Sequence, residues 1–538
     1  MKRLILLFYI ISMSINIYSQ DWKKYPYTPE NSLISFPKDE GRHTNEPTEW
    51  WYFFSHLKGE ESGNDYTVMF TFFYRDTLVF NGMRIFNVTN ETTGEFFPDF
   101  KMLLYNFNSE DHLEIEANLL DHTENWFTKK DSSGNLKPFE YELHAKSLNA
   151  VLDIDMSVIK HPLILVDTGY LYQGINNYTY YYSFTGIDIN GYLTLNNKKE
   201  KVSGIGWFDK QYGNFHPEVR EKYEWFSIQL SNNMDINAWN IFTTDNKLPS
   251  NSTYRLFNCY INDSTFFNTY NFDIEHKAYF YSPDSSRIYG KKFRLIEDSL
   301  GINLDISIQN PNCEPTFPFP FYEGPISIQG TVNGNNVTGK GFGELLHYYQ
   351  FPELELIEPS GYWDYKIPIQ WNLKNPDEGR PLTYDLLVKK QGDNEFKYLK
   401  KGLTDNYFDV DTSELSLNTG YYFMVTAASV DSFLTDTIVS DGYFKPNLVA
   451  DNYIPDNIIV SPNPFSDKLL VKMISNTFEG GKLELFSTES KDVLSKLINN
   501  NTSEVLLNTS NLKQGIYILK LSNRNKFFIK KLIKVVKE

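Results

Sequence analysis

Two aromatic stretches decide the fold of this chain: Gly204-Ile205-Gly206-Trp207-Phe208-Asp209-Lys210-Gln211-Tyr212-Gly213 and, far upstream, Glu49-Trp50-Trp51-Tyr52 with His43 just before it. Both place carboxylates among indole and phenol rings. Such surroundings dehydrate a carboxyl group, which disfavours its charged form and raises its pKa. Equally, the tryptophans could fill the core of a β-barrel while the carboxylates cap turns. The alternatives are therefore a proton-transfer site and a purely structural core.

The composition favours strands over helices. Aromatic residues make up 16% of the 538 residues, with 37 Tyr and 41 Phe, and aromatic side chains are enriched in strands. Short runs such as Phe70-Thr71-Phe72-Phe73-Tyr74 and Phe226-Ser227-Ile228-Gln229-Leu230 are separated by Asn, Asp and Gly, as in barrels and sandwiches. We therefore expect an all-β protein of several domains.

Charge and cysteine content restrict the partners. A net charge of −17 without a basic stripe before the last few residues argues against nucleic acid, because phosphate binding needs a clustered basic face. Only Cys259 and Cys313 are present, without Cys-x-x-Cys or His-x-x-x-His spacing, so no zinc site is expected. Whether the two cysteines form a disulfide is left open.

The N-terminus has the pattern of a secretory signal peptide. Lys2 and Arg3 precede the apolar run Leu4 to Ile17, and a small residue near position 20 precedes a polar mature start at Asp21. No later stretch has the roughly 18 to 20 apolar residues of a membrane-spanning helix. We expect residues 1–20 to be removed, and the mature protein to be exported without a transmembrane segment.

Three motifs, in order, resemble the lipocalin-like family that includes hydroxyneurosporene synthase, the carotenoid 1,2-hydratase. They are residues 36–52, then the Gly-x-x-Trp-x-Asp-x-x-x-Gly pattern of residues 204–213, then Gly339-Lys340-Gly341-Phe342-Gly343-Glu344-Leu345 with Tyr348. The resemblance covers residues 30 to 350. It implies two lipocalin-like β-barrels packed together, with an elongated apolar ligand held in or between them.

The resemblance also indicates a chemistry. Adding water to an isolated trisubstituted alkene requires an acid that stays neutral near pH 7 and a cavity that stabilises a tertiary cation. Asp209 is the candidate acid, Trp207, Tyr182 and Trp225 are candidate cation-stabilising rings, and no cofactor is needed. The expected ligand-binding residues are His43, Glu49, Trp50, Trp51, Tyr52, Gln211, Tyr212, Trp225 and Glu344. Trp50 and Trp51 are expected to point in opposite directions, because adjacent side chains of a strand face opposite sides.

Several features keep other interpretations open. The hydratases carry a His-x-aromatic pair upstream of the Asp, whereas this chain has Tyr180-Tyr181-Tyr182, so isomerisation, cyclisation or hydrolysis fits as well as hydration. Asp209 and Lys210 could form a surface ion pair at a turn. His43 and Glu49 fit a structural hydrogen bond better than a metal pair. A non-catalytic carrier of a hydrophobic ligand is the competing function.

The C-terminal third resembles two further modules. Trp371, Tyr384 and the Tyr421-Tyr422-Phe423-Met424-Val425 strand resemble a fibronectin type III domain, and Ser461-Pro462-Asn463-Pro464 through Lys534 resembles the type A sorting domain of the type IX (Por) secretion system. The second resemblance implies export across the outer membrane. The expected domains are a signal peptide (1–20), two lipocalin-like barrels (21–217 and 218–353), a fibronectin type III-like sandwich (354–447) and a small C-terminal β-sandwich, the sorting domain (448–538).

Overall fold

The computed structural model describes residues 22–75, 80–119, 122–215, 220–262, 265–357, 366–411, 413, 415–416, 419–442, 458–473, 481–487, 492–499, 502–522 and 527–535. These residues form 35 strands and a 3₁₀ helix at Lys38–Glu40, which confirms the all-β prediction. The expected signal peptide and the domain boundaries after residues 217 and 447 lie outside the described residues. None of the described helical structure is long and apolar enough to span a membrane.

The first unit is a closed antiparallel barrel. Strand β11 pairs with both β12 and β8, which closes ten strands into a ring, while β9 and β10 pair with β11 outside it. The strands are β1 (Thr48–Gly59), β2 (Asp65–Arg75), β3 (Gly82–Asn90), β4 (Glu95–Asn108), β5 (Glu114–Asn118), β6 (Thr123–Lys130), β7 (Leu136–Lys146), β8 (Ala150–Val158), β9 (Leu163–Ile164), β10 (Tyr170–Tyr172), β11 (Tyr178–Leu195) and β12 (Lys198–Asn214).

The second unit is one antiparallel sheet of nine strands around its own core. Its edge strands both contribute to that core, with Phe267 from one edge and Ile274 from the other. Cys259 and Cys313 are buried there and are not bridged. In spatial order β16-β15-β14-β13-β21-β20-β19-β18-β17, the strands are β13 (Lys222–Leu230), β14 (Asp235–Phe242), β15 (Arg255–Asn262), β16 (Thr265–Thr269), β17 (Asp273–Tyr281), β18 (Ile288–Glu297), β19 (Ile302–Ile308), β20 (Tyr322–Val332) and β21 (Asn335–Leu345).

Strand alternation gives β1 and β12 two different faces. In their register Trp51 lies opposite Lys210 and Tyr52 lies opposite Asp209, and successive side chains point to opposite sides of the sheet. Trp51 is fully buried in the barrel core, whereas Trp50 is partly exposed on the face turned to the second unit. This agrees with the expectation that the two tryptophans point in opposite directions.

The two units share an apolar interface. One buried cluster combines Phe54 and Trp207 from the first unit with Trp225, Trp239 and Phe342 from the second. A polar contact also crosses the interface, because His56 Nε2 of β1 lies 3.1 Å from the backbone oxygen of Gly341 on β21. The interface thus brings the second and third sequence motifs together.

Two small β-sandwiches follow the paired units. The first consists of a three-stranded and a four-stranded sheet, and its identity as a fibronectin type III-like domain stays a prediction. Its strands are β22 (Leu354–Ile357), β23 (Lys366–Leu373), β24 (Thr383–Lys390), β25 (Lys397–Leu403), β26 (Tyr407–Asp411), β27 (Tyr421–Ala428) and β28 (Thr435–Val439). Those of the second are β29 (Ile458–Ser461), β30 (Lys468–Met473), β31 (Gly481–Ser487), β32 (Asp492–Ile498), β33 (Glu504–Asn508), β34 (Gly515–Ser522) and β35 (Phe527–Lys534).

Candidate active site

A cavity of about 210 Å³ lies between the two units. Aromatic and apolar side chains form most of its wall, and its polar groups include three carboxyl groups, one from the first unit and two from the second. Its lining residues are Trp50, Tyr52, Met69, Thr71, Phe73, Met83, Ile85, Gln173, Tyr181, Asp209, Gln211, Phe215, Tyr223, Trp225, Trp239, Pro318, Phe319, Phe321, Glu323 and Glu344.

Asp209 is the carboxyl group that the first unit contributes. It is 3% exposed and lies between Tyr52 of β1 and Ser183 of β11 in the sheet register. Its Oδ2 accepts a hydrogen bond from the Tyr181 hydroxyl at 2.8 Å, and its Oδ1 accepts from the Trp207 indole N–H at 2.8 Å and from the Ser183 hydroxyl. These bonds lower its pKa, but desolvation outweighs them and raises the pKa to about 7. Asp209 can therefore hold or release a proton at neutral pH.

Two glutamates of the second unit line the same cavity. Glu323 of β20 and Glu344 of β21 are direct cross-strand partners, so their side chains lie on the same face of the sheet. Burial raises the pKa of Glu344 to about 7, and burial together with the neighbouring Glu344 raises that of Glu323 well above its usual range. Glu323 accepts a hydrogen bond from Asn87 Nδ2 of the first unit at 3.1 Å, and Glu344 accepts one from the Tyr223 hydroxyl.

Asn237 couples the two walls of the cavity. Its Nδ2 donates to the Tyr181 hydroxyl at 2.7 Å, and its Oδ1 accepts from the Trp225 indole N–H at 3.1 Å. The hydroxyl of Tyr181, which donates to Asp209, is thereby fixed by the second unit. The orientation of the candidate acid thus depends on the contact between the two units.

A different charge cluster occupies the opposite face of β1 and β12. Glu49 accepts hydrogen bonds from Arg42 Nη1 at 2.8 Å, from His43 Nδ1 at 2.7 Å and from Lys210 Nζ. Burial alone would raise the pKa of Glu49, but Lys210, His43 and Arg42 outweigh it and lower the pKa to about 2. Among the described residues no group of three or more His, Cys, Asp or Glu side chains is arranged to hold a metal ion. The cluster is a compensated ion network.

The predicted site residues divide between these two faces. Lys210 is fully buried beside Glu49, so Asp209 and Lys210 do not form the surface ion pair considered as an alternative. Trp207 supports Asp209 from behind and is not a lining residue. Those that line the cavity are Asp209, Trp50, Tyr52, Gln211, Trp225 and Glu344, and those that lie on the barrel-interior side are Tyr182, His43, Glu49, Trp51 and Tyr212.

Tyr182 misses the cavity by one residue. Tyr181 and Tyr182 are neighbours on β11 and therefore point to opposite sides of the sheet. The Tyr181 hydroxyl reaches Asp209, whereas the Tyr182 hydroxyl donates to the backbone oxygen of Asp39 at 3.3 Å inside the barrel. Sequence reasoning also missed Ser183, which has the same parity as Tyr181. The alternation of side chains along β11 could have indicated this, because Tyr181 and Ser183 must share one face of the strand.

Other contributors gave no local signal. Asn237 reaches the Tyr181 hydroxyl beside Asp209 through the packing of the two units, whereas Tyr223 and Glu323 reach Glu344 through strand pairing within the second unit. Glu40, buried inside the first barrel, also has a pKa raised to about 8 by desolvation. The cavity beside Glu40 measures about 10 Å³, which is enough for one water molecule at most. It is therefore not a ligand site.

A solved structure with the same fold supports this arrangement of the first two units. A protein from Nitrosomonas europaea assigned as AttH shares 17% identity with a TM-score of 0.50 over 61% of this chain and 100% of its own. Kievitone hydratase from Nectria haematococca shares 18% identity with a TM-score of 0.48 over 60% of this chain and 98% of its own. At these identities the first likeness shows the fold alone. A search of curated proteins found no match.

Family models match both ends of the described chain. Residues 460–535 match the secretion system C-terminal sorting domain, which confirms the type IX sorting domain and indicates the type IX machinery as a partner and the cell surface or exterior as destination. Residues 27–348 match the AttH-like model, in agreement with the three motifs and with the two units around the cavity. The chain therefore belongs to the AttH-like family of lipocalin-like proteins.

Proposed function

We propose that this protein is an exported enzyme that uses acid–base chemistry on an apolar isoprenoid or lipid-like substrate in the cavity between its two lipocalin-like units. Hydration, isomerisation or a related reaction would begin with protonation of an alkene carbon. One observation carries the proposal: Asp209 is a buried carboxyl group that has no cationic partner among the described residues, it lines an aromatic cavity, and its pKa is about 7. A general acid works best when its pKa lies near the operating pH.

The proposed reaction uses Asp209 as proton donor and then as proton acceptor. The carboxyl O–H bond breaks as a C–H bond forms at the less substituted alkene carbon, which leaves a tertiary cation. In hydration, water adds to the cation and one of its protons passes to the Asp209 carboxylate. In isomerisation, a C–H bond beside the cationic carbon breaks, its proton passes to the Asp209 carboxylate, and its electron pair forms the new double bond. Neither course changes the net proton count of the enzyme.

The surroundings of Asp209 suit a cationic intermediate. The indole of Trp225 lies on the cavity wall, and an aromatic face supplies about 0.5 to 2 kcal/mol of attraction to a cation where water is excluded. Hydrogen bonds from Tyr181, Ser183 and Trp207 stabilise the carboxylate that remains after proton transfer. The same contacts therefore favour the charge-separated state.

The competing function is a carrier that binds a hydrophobic ligand without changing it. A carrier has no need for a desolvated acid and can leave Asp209 at a solvated rim. The 3% exposure of Asp209 and its raised pKa favour the enzyme. For export we propose that residues 1–20 act as the Sec signal peptide ahead of the type IX route.

Product analysis tests this function. The purified full-length protein is incubated with a lipid extract in D₂O, and products are followed by mass spectrometry as gain of water or of deuterium. Asp209→Asn should lower product formation at least about 100-fold, the scale of general acid catalysis. Asp188→Asn, an exposed position on β11, is the matched control and should behave as wild type. Product formation that survives Asp209→Asn would remove Asp209 from this role, and ligand retention without mass change in every variant would favour the carrier.

A further inference from the structure

Among the described residues the cavity is lined by carboxyl groups and by no basic side chain. Asp209, Glu323 and Glu344 line it, and none of the described lining residues is Lys, Arg or His. Lys210, which follows Asp209 in the sequence, points to the other face of β12 and is engaged by Glu49. A negatively charged guest would therefore leave water without finding a cationic partner, which is costly for any buried charge.

The pair of glutamates strengthens this asymmetry. Glu323 and Glu344 stand directly opposite each other on adjacent strands, where two like charges destabilise a sheet. Their described hydrogen-bond partners, Asn87 and Tyr223, are neutral. Ionisation of one glutamate disfavours ionisation of the other, and an anionic guest would meet the same repulsion from whichever of the two is ionised, in surroundings that screen it poorly.

Neutral polar contacts remain available in the same cavity. Gln211 and Trp239 line it and are each 5% exposed, and Gln211 Nε2 and Trp239 Nε1 have no hydrogen-bond acceptor among the described residues. Buried N–H groups without partners carry a free-energy penalty that a suitable acceptor removes. An uncharged oxygen can accept from such a group, and a hydroxyl can also donate to a carboxylate.

The volume limits how much of the ligand is enclosed. A cavity of roughly 150 Å³ holds a benzene-sized molecule, so the 210 Å³ here accommodates one ring or a short prenyl end group. A longer molecule would extend beyond it.

We infer that this cavity selects its ligand by charge: it takes an uncharged, oxygen-bearing isoprenoid or similar end group and rejects carboxylate and phosphate lipids. The inference rests on the proposed function, because it assigns the same cavity as the ligand site. It goes further in excluding fatty acids and prenyl phosphates from the substrate class.

Calorimetric titration of the full-length protein with geraniol and geranic acid tests the inference, because the two probes share one chain and differ in headgroup. At pH 7.5 geranic acid should bind at least about tenfold more weakly than geraniol. Glu323→Gln/Glu344→Gln should reduce this discrimination, measured as the ratio of the two dissociation constants, at least about threefold. Glu344→Gln alone should reduce it in the same direction, which provides a second variant if the double variant folds poorly. Glu275→Gln, exposed on β17, is the control that should leave it unchanged.

The outcomes separate this inference from the proposed function. Binding of geranic acid within about threefold of geraniol, or discrimination that both glutamate variants leave intact, would overturn charge selection while the cavity stays the ligand site. Failure of both probes to bind would overturn the ligand site itself, and the inference with it.

Discussion

Asp209 and Glu49 are buried carboxyl groups on paired strands, yet their pKa values are about 7 and about 2. Glu49 contacts Lys210, Arg42 and His43 on the barrel-interior face. On the face turned to the second unit, the hydrogen-bond donors to Asp209 among the described residues are all neutral. Burial is therefore common to both groups, and the presence of cations separates them. Glu49 is compensated by cations and is a structural ion. Asp209 lacks this compensation among the described residues and can exchange a proton near neutral pH.

Removal of the Lys210 ammonium group should cause the largest loss of stability among the changes that test this comparison. Lys210→Met would leave Glu49 buried without its closest positive partner, and breaking a buried ion pair from one side costs about 3 to 5 kcal/mol. Guanidinium unfolding should show a loss of that size in the first unit. The double variant Glu49→Gln/Lys210→Met should recover part of it, since no uncompensated charge remains. A loss below about 1 kcal/mol in the single variant would mean that Arg42 and His43 suffice.

The two carboxyl groups should make the stability of the protein depend on pH with opposite signs. The folded pKa of Asp209 is raised above 3.8, so its contribution is present at low pH and is lost as pH rises towards about 7. In the wild type, Asp209 should lower the free energy of unfolding by about 3 kcal/mol between pH 4.5 and pH 8, and Asp209→Asn should remove this loss. The folded pKa of Glu49 is depressed, so its contribution is present above about pH 4.5 and is lost as pH falls towards about 2.

Unfolding free energies measured from about pH 2 to about pH 8 for Asp209→Asn, Glu49→Gln and wild type check the signs. Parallel curves for wild type and Asp209→Asn would show that Asp209 titrates at its ordinary pKa. A stability gain of Glu49→Gln over wild type at pH 7 would show that Glu49 is not stabilised as a charge.

A smaller effect should distinguish Tyr181 from Tyr182. The Tyr181 hydroxyl donates to Asp209 and so lowers its pKa, whereas the Tyr182 hydroxyl donates to a backbone oxygen inside the barrel. Tyr181→Phe should raise the pKa of Asp209 by about one unit, which corresponds to about 1.4 kcal/mol. The pH profile of product formation should shift upward in this variant and stay in place in Tyr182→Phe. Equal shifts in both would contradict the assigned contacts.

The sequence predicted the family and several site residues, but it did not predict which of Tyr181 and Tyr182 faces the cavity. Three ordered motifs predicted the lipocalin-like family, and alternation predicted that Trp50 and Trp51 face opposite sides. The motifs also identified Asp209 and Glu344 as members of one site. Tyr182 was named in place of Tyr181 because the parity of a strand follows from its register against β12, which local sequence does not determine.

The site residues Asn237 and Glu323 of the second unit could not be predicted from the sequence around them. Asn237 and Glu323 enter the site because two sheets pack face to face, and nothing in the adjoining residues indicates that contact. The surface ion pair of Asp209 and Lys210 stayed an open alternative for a related reason, since the partner of Lys210 is Glu49, 161 residues away in the sequence. Long-range pairing therefore decides which charges are compensated.

Direct titration of Asp209 tests the central claim. Carbon NMR of protein labelled at the aspartate carboxyl carbons, with Asp209→Asn to assign the resonance, reports its ionisation without knowledge of the substrate. The Asp209 carboxyl carbon should titrate with a midpoint near pH 7. A midpoint below about pH 5, close to the ordinary value for aspartate, would contradict the claim that this face of the sheet holds an uncompensated acid.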